Sequence, residues 1–246
     1  MKNEISPETK SEFLKGNDIG ILIIHGFTGS TQSMREVAYQ LNRLGYTIQM
    51  PRLKGHGTTP EDMETTSYKD WIESVENAYS ELKTKVKNLF VLGLSMGGTL
   101  TLYCSIHHKI DGAITINAAI NLPEFKVLYD DSQSPRFIPG IGSDIKKEGI
   151  KEWAYDRTPK KCIQDILTLS NQVREKLSYI KCPLLIFKSK EDHIVPPDNQ
   201  DYIFSHTGSE NKELIELENS YHVATLDNDQ ELIIQKTHHF IQSILK

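Results

Sequence analysis

The segment Gly93-Leu94-Ser95-Met96-Gly97 constrains this chain more than any other. It follows the apolar run Leu89-Phe90-Val91-Leu92, whose length and continuity suit a strand buried on both faces, and it precedes a helix-competent stretch reaching about residue 108. A strand that turns abruptly into a helix needs glycines beside the turn, because a Cβ there would obstruct the strained backbone and the close helix–strand contact. Ser95 is expected at the tip. The Met96 amide then opens the helix, where its N–H has no intrahelical partner and can meet a developing negative charge.

Strand-like and helix-like patterns alternate on either side of this turn. Residues 13–15, the turn cluster Gly16-Asn17-Asp18 and residues 20–24 read as a hairpin feeding a buried strand. The loop His25-Gly26-Phe27-Thr28-Gly29 follows. Two glycines directly after a buried strand can aim a backbone N–H back over the sheet edge, which makes the Phe27 amide the candidate second oxyanion donor. The loop lacks the lysine of a phosphate-cradling P-loop.

Met34, Val37, Ala38, Leu41 and Leu44 recur at helical spacing, with Gly45 as the stop. Residues 47–50 form the next expected strand, closed by Pro51 and followed by the Gly55-His56-Gly57 turn. Ser67 and Asp70 make a capping-box start for a helix carrying Trp71, Ile72, Val75, Ala78, Tyr79 and Leu82 on one side. Further strands are expected at 113–116, 184–187 and 213–217. This alternation predicts an α/β fold, a mostly parallel central sheet flanked by helices, within one domain of residues 1–246.

The interval between Asn117 and the strand at 184 is longer than one crossover needs. Thr158-Pro159 can start a crossover helix carrying Ile163, Ile166, Leu167, Val173 and Leu177. What remains is an insertion, a cap or lid at residues 120–157. Its apolar residues, among them Leu122, Phe125, Leu128, Phe137 and Ile141, are broken by Pro135, Pro139, Gly140 and Gly142. An apolar insertion at the C-terminal edge of a parallel sheet lies where such sheets bind ligands, so it is expected to wall a hydrophobic substrate pocket.

Charge and composition narrow the function classes. A formal net charge of -5 without a cluster of Lys and Arg argues against a nucleic-acid partner. Three cysteines with no C-x-x-C pair suit free, packed thiols in a reducing, cytoplasmic setting. The polar first 18 residues hold no signal-like apolar core, and the run at 21–24 is too short to span a bilayer. Neither H-E-x-x-H nor another metal-ligand spacing occurs, so no metal or cofactor is expected. Any transient membrane-surface contact would fall to the cap.

A serine at such a turn needs a general base. Of nine histidines, His222 alone follows a strand-like segment, 213–217, in a loop near the end of the chain. His25 and His56 belong to glycine turns, His107 and His108 to a helix end, and His206, His238 and His239 read as solvated surface. The orienting carboxylate should stand at a strand end between serine and histidine, in the order serine, acid, histidine. Asp192 is best placed after the 184–187 strand, with Glu191 its main rival and Asp198 and Asp201 behind. His193 has no role in that scheme.

With His25-Gly26-Phe27-Thr28-Gly29, Gly55-His56-Gly57, Gly93-Leu94-Ser95-Met96-Gly97-Gly98, Glu191-Asp192-His193-Ile194-Val195-Pro196-Pro197 and Ser220-Tyr221-His222-Val223-Ala224-Thr225, the chain resembles the α/β-hydrolase-fold serine esterases, and among them bacterial monoacylglycerol lipases. The likeness extends into the cap at Ile116-Asn117-Ala118-Ala119, Ile141-Gly142-Ser143-Asp144 and Lys151-Glu152-Trp153-Ala154-Tyr155. It implies Ser95 as nucleophile, Asp192 rather than Glu191 as orienter, His222 as base, and the Phe27 and Met96 amides as the oxyanion hole. It also implies an acyl tunnel under the cap and a small glycerol pocket, with Glu152 contacting a hydroxyl and Ile141 lining the substrate site. The expected reaction is hydrolysis of a monoacylglycerol to glycerol and fatty acid through an acyl-enzyme. The alternatives are a short- or medium-chain carboxylesterase and, more distantly, a non-catalytic ligand-binding relative.

Overall fold

A computed structural model describes residues 5–246. In chain order its elements are β1 (Glu12–Leu14), β2 (Ile19–Ile24), α1 (Arg35–Arg43), β3 (Thr47–Met50), α2 (Pro60–Glu64), α3 (Tyr68–Lys83), β4 (Asn88–Leu94), α4 (Met96–His107), β5 (Gly112–Ile116), α5 (Pro123–Asp130), β6 (Phe137–Pro139), β7 (Arg157–Pro159), α6 (Lys160–Arg174), β8 (Leu184–Ser189), α7 (Asp198–His206), β9 (Lys212–Leu217) and α8 (Gln230–Ile244). Seven strands form one sheet in the order β1-β3-β2-β4-β5-β8-β9, parallel throughout except for β1.

The central strands are mostly apolar because both sheet faces are covered, and their apolar side chains alternate between two cores. From β2, Leu22 and Ile24 enter one core while Ile21 and Ile23 enter the other. Val91 and Phe90 of β4 divide likewise, as do Ile186 and Phe187 of β8. The first core is closed by α3, through Trp71, Val75 and Leu82, and by Ile163, Ile166 and Leu169 of α6. The second is closed by Val37, Ala38 and Leu41 of α1 with Ile233, Phe240 and Ile241 of α8. The capping box of α3 forms as its sequence predicts: Asp70 Oδ2 accepts from the Ser67 amide at 2.9 Å.

The expected hairpin at the start of the chain does not form. β1 runs antiparallel to β3, with Phe13 opposite Gln49, and is separated from β2 by that strand. The Gly16-Asn17-Asp18 turn is captured by the entry to β3. The Gly16 amide donates to Thr47 Oγ1 at 2.9 Å, the Asn17 amide to Gly45 O at 2.7 Å, and Thr47 Oγ1 to Asn17 O at 2.6 Å. These bonds carry the chain across the base of β3 rather than back along β1.

The crossover helix begins at Lys160, because Arg157–Pro159 pair as β7 with β6 in a two-stranded ribbon. That ribbon and α5 are the regular parts of the segment joining β5 to α6. Arg136 pairs with Glu64 and Arg157 with Glu61, both glutamates belonging to α2, and both guanidinium groups lie over the Phe137 ring at 5.0 and 4.9 Å. No helix among the described residues is long and apolar enough to cross a membrane.

Candidate active site

The C-terminal ends of β2, β4, β5, β8 and β9 lie flush, with Ile24 opposite Gly93, Leu94 opposite Ile116 and Ser189 opposite Leu217. The loops leaving these ends therefore meet above one edge of the sheet, where open parallel sheets bind ligands. Ser95 joins β4 to α4 with φ 57° and ψ -120°, a conformation that costs a non-glycine residue about 1–3 kcal/mol. The strain is held in place on both sides. The Ser95 amide donates to Ile116 O at 2.9 Å, and Ser95 O accepts from Thr99 and Ala119 amides at 3.1 and 3.3 Å. A Cβ on Gly93 would stand 2.1 Å from Gly97 O, and one on Gly97 would stand 2.2 Å from Ile24 O. Both positions thus require glycine for the close approach of β4, α4 and β2.

His222 stands in the loop after β9, buried. Its Nδ1 bonds Asp192 Oδ2 at 2.8 Å, while Asp192 Oδ1 accepts the Ile194 and Val195 amides at 2.9 and 2.8 Å. Asp192 is thereby fixed by its own turn and aimed at the ring. Glu191, its sequence rival, faces away toward Lys146 Nζ at 3.8 Å and is largely exposed. Burial works against a charged His222, but the carboxylates of Asp192, Glu152 and Asp144 outweigh it and hold its pKa above the ordinary histidine value. With Nδ1 committed to Asp192, Nε2 is the nitrogen free to exchange a proton.

Ser95 and His222 line one cleft together with Phe27, Leu122, Phe125, Ile141, Ile194 and Glu152. The walls are apolar apart from the serine, the histidine, the glutamate and Thr28. Burial pushes the Glu152 carboxyl up to about 7, with the nearby His222 pulling the other way. The segment bearing Glu152 is laced to the loop after β2: Tyr155 N donates to Thr28 O at 3.1 Å, Trp153 N to Gln32 Oε1 at 3.0 Å, and Ser30 Oγ to Trp153 O at 3.2 Å. Tyr155 Oη also donates to Gly55 O at 2.8 Å, which explains the Gly55-His56-Gly57 turn as an anchor.

Phe27 lies on the loop after β2 and Met96 opens α4 directly after the serine. Among the described residues neither amide has a protein acceptor. The preceding residue, Gly26, comes close enough that its Cβ would sit 3.3 Å from Ser95 Cβ. A serine and an imidazole braced by a carboxylate lining one cleft, with unpaired amides on the loops that border it, are the groups that acyl transfer requires.

Several residues of the site lie outside the sequence motifs or play roles not expected from them. His25 and His56 are fully buried and pack edge to face at 5.2 Å, and burial drives the His25 pKa down to about 4 and that of His56 well below ordinary. His25 Nε2 accepts the Leu53 amide, which defines a neutral ring bracing the Gly26 loop. Asn117, with φ 47°, donates to His222 O at 2.8 Å and to Ser189 Oγ at 2.9 Å. Asp144 accepts from both His193 and His222. His238, expected on the surface, is half-buried because its Nδ1 bonds the Tyr46 hydroxyl at 2.8 Å.

The family described as Serine aminopeptidase, S33 (Hydrolase_4) matches residues 17–137 and 145–229. The chain belongs to this family of α/β-hydrolases. This hydrolase is 47% identical over 230 residues to a thermostable monoacylglycerol lipase of Bacillus sp. (strain H-257), covering 93% of this chain and 92% of the relative. It is 28% identical over 235 residues to a carboxylesterase of Bacillus subtilis (strain 168), covering 94% and 95%. Among solved structures, a metagenome-derived lipolytic enzyme superposes with a TM-score of 0.95 at 44% identity, covering 98% of the hydrolase and all of that chain.

Proposed function

We propose that this hydrolase cleaves monoacylglycerols to glycerol and a free fatty acid through an acyl-enzyme. The observation that carries the reading is a single cleft in which Ser95 and the Asp192-braced His222 meet mostly apolar walls and one half-buried carboxylate, Glu152. Apolar walls take an acyl chain, and a carboxylate near the serine takes the hydroxyls of a polar alcohol. Residues 120–157 then act as the cap over the acyl chain, with Ile141 against it.

In this scheme Ser95 Oγ attacks the ester carbonyl while His222 Nε2 accepts its proton. The Phe27 and Met96 amides hold the resulting oxyanion, a contact worth about 3 kcal/mol per donor in comparable sites. His222 returns the proton to the departing glycerol oxygen as the C–O bond breaks. Water, deprotonated by His222, then attacks the acyl-serine, and the acid leaves as Ser95 recovers its proton. Asp192 keeps the His222 tautomer throughout and stabilises each imidazolium. The free thiols of Cys104, Cys162 and Cys182 support a reducing, cytoplasmic setting.

The test is kcat/KM on monoacylglycerols of increasing chain length beside simple alkyl esters of the same acids, with Ser95→Ala as the blank. A glycerol-ester preference abolished by Ser95→Ala is expected. Equal or better turnover of simple short esters would replace the monoacylglycerol reading with a carboxylesterase, and activity persisting in the blank would overturn the serine mechanism.

A further inference from the structure

The loop that carries His222 is held by a part of the chain with no place in the triad. Three successive amides of that loop are each spent. Tyr221 N donates to Asp227 Oδ2 at 2.9 Å, His222 N to Asp144 Oδ2 at 3.1 Å, and Val223 N to the Asp144 carbonyl at 3.0 Å. Asp227 in turn accepts the Lys146 and Lys147 amides at 2.7 and 2.9 Å, so the 144–147 strap and the histidine loop are cross-tied from both sides.

Asp144 does more than hold one loop. Its Oδ2 also accepts the His193 amide at 3.1 Å, and its Oδ1 bonds His193 Nδ1 at 2.8 Å. One carboxylate oxygen is therefore shared by the backbone of the residue after Asp192 and the backbone of His222 itself. The Asp144 side chain is 13% exposed. We infer that Asp144 is a positioning residue for hydrolysis, which sets the separation of Asp192 and His222 by clamping the loops that carry them to one oxygen. Reactive geometry has to be kept to within about 0.5 Å, and a shared acceptor is a direct way to keep it.

Asp144 also carries charge next to the base. The other charged groups at this junction are Asp192 and Glu152 facing the His222 ring, Asp227 behind the loop, and Glu191, Lys146 and His193 at the rim. Removing the Asp144 charge takes away part of what favours the His222 imidazolium, so the acidic limb of activity moves to lower pH. A residue that served folding alone would leave that limb where it is.

The inference rests on the triad reading above, and two substitutions separate geometry from charge. Asp144→Asn keeps the volume but loses the charge and one acceptor; kcat is expected to fall about ten- to hundredfold with KM little changed, and the acidic limb of kcat/KM to move down in pH. Asp144→Glu keeps the charge but shifts the oxygens by a methylene; kcat is expected to fall while the limb stays. Thermal unfolding accompanies each assay. If Asp144→Asn fails to fold, Asp144→Glu decides: a kcat loss at an unchanged unfolding midpoint supports the inference, and wild-type kcat overturns it. Wild-type kcat with an unmoved limb in Asp144→Asn overturns it too, as does failure of both variants to fold, which assigns the residue to stability alone. His222→Ala is the control that tells the two failures apart: wild-type-like activity there would sink the triad reading and this inference with it, whereas a loss of orders of magnitude there beside wild-type kcat in the Asp144 variants overturns this inference alone.

Discussion

Replacing Gly29 with alanine tests the polar end of the cleft without touching any group in the proposed chemistry. Gly29 is not among the residues with positive φ, so its backbone accepts a side chain. The added Cβ would stand 2.6 Å from Glu152 Oε1, whereas its next neighbours, Glu152 Cδ and Gly26 O, lie at 3.5 and 3.7 Å. Only the end of a flexible side chain is in the way. To reach ordinary contact near 3.4 Å the carboxylate must retreat by about 0.8 Å, which is enough to spoil a hydrogen bond to a bound hydroxyl. A hydrogen bond to a charged group contributes about 1.5–3 kcal/mol, so kcat/KM for a monoacylglycerol should fall about 10- to 150-fold. The methyl ester of the same acid offers no such hydroxyl and should lose little. The unfolding midpoint should stay within about 4 °C of wild type, since alanine restricts the unfolded chain and the clash is relieved by side-chain rotation. The assay is paired kinetics on the two esters with a thermal melt. An equal loss on both esters would refute the assignment of Glu152 to the alcohol, and a collapse of the midpoint would refute the claim that the carboxylate can yield.

Two other outcomes follow from the geometry. Gly97→Ala meets backbone carbonyls, Ile24 O at 2.2 Å and His25 O at 2.7 Å, that have no rotamer to retreat into. It should destabilise the fold by more than about 3 kcal/mol, read by denaturant titration, and a near-wild-type midpoint would mean that β2 and α4 do not pack as described. The pH profile carries a sign as well. His222 must be neutral to accept a proton and its pKa is raised by surrounding carboxylates, so kcat/KM should fall as pH drops through a value above about 6.5, the ordinary histidine pKa. Glu152→Gln removes one of those carboxylates and should shift the limb to lower pH; an unmoved limb would show that the two groups do not feel each other.

The serine turn was legible because everything that shapes it is local: an apolar strand, glycines two residues either side of Ser95, and a helix start. His222 was legible from chain order, and Asp192 was separated from Glu191 only by resemblance, since both follow the same strand and spacing treats them alike. The structure distinguishes them through a two-residue turn that ties Asp192 Oδ1 to the Ile194 and Val195 amides. The pairing of β1 with β3 escaped the sequence reading because turn chemistry at Gly16-Asn17-Asp18 says that the chain turns, not which strand lies beside it. The clasps made by Asn117, Asp144 and Asp227 join positions 72 or more residues apart for Asn117–Ser189, and 78 apart for Asp144–His222, and leave no periodic trace. Long-range polar contacts of this kind become visible only once the strand ends have been brought together.

The strand order has a consequence for the order in which the molecule becomes competent. β4 and the turn bearing Ser95 lie at the middle of the sheet and are complete early in the chain, while β9, which delivers His222, is the outermost strand and the last to be made. Chains emerge from the ribosome N-terminus first. For much of its synthesis the polypeptide therefore carries Ser95 without Asp192 or His222, and the proposed triad can assemble only once the far edge of the sheet has closed. A product stalled before β9 lacks the base that the proposed mechanism requires, without needing a separate inhibitor.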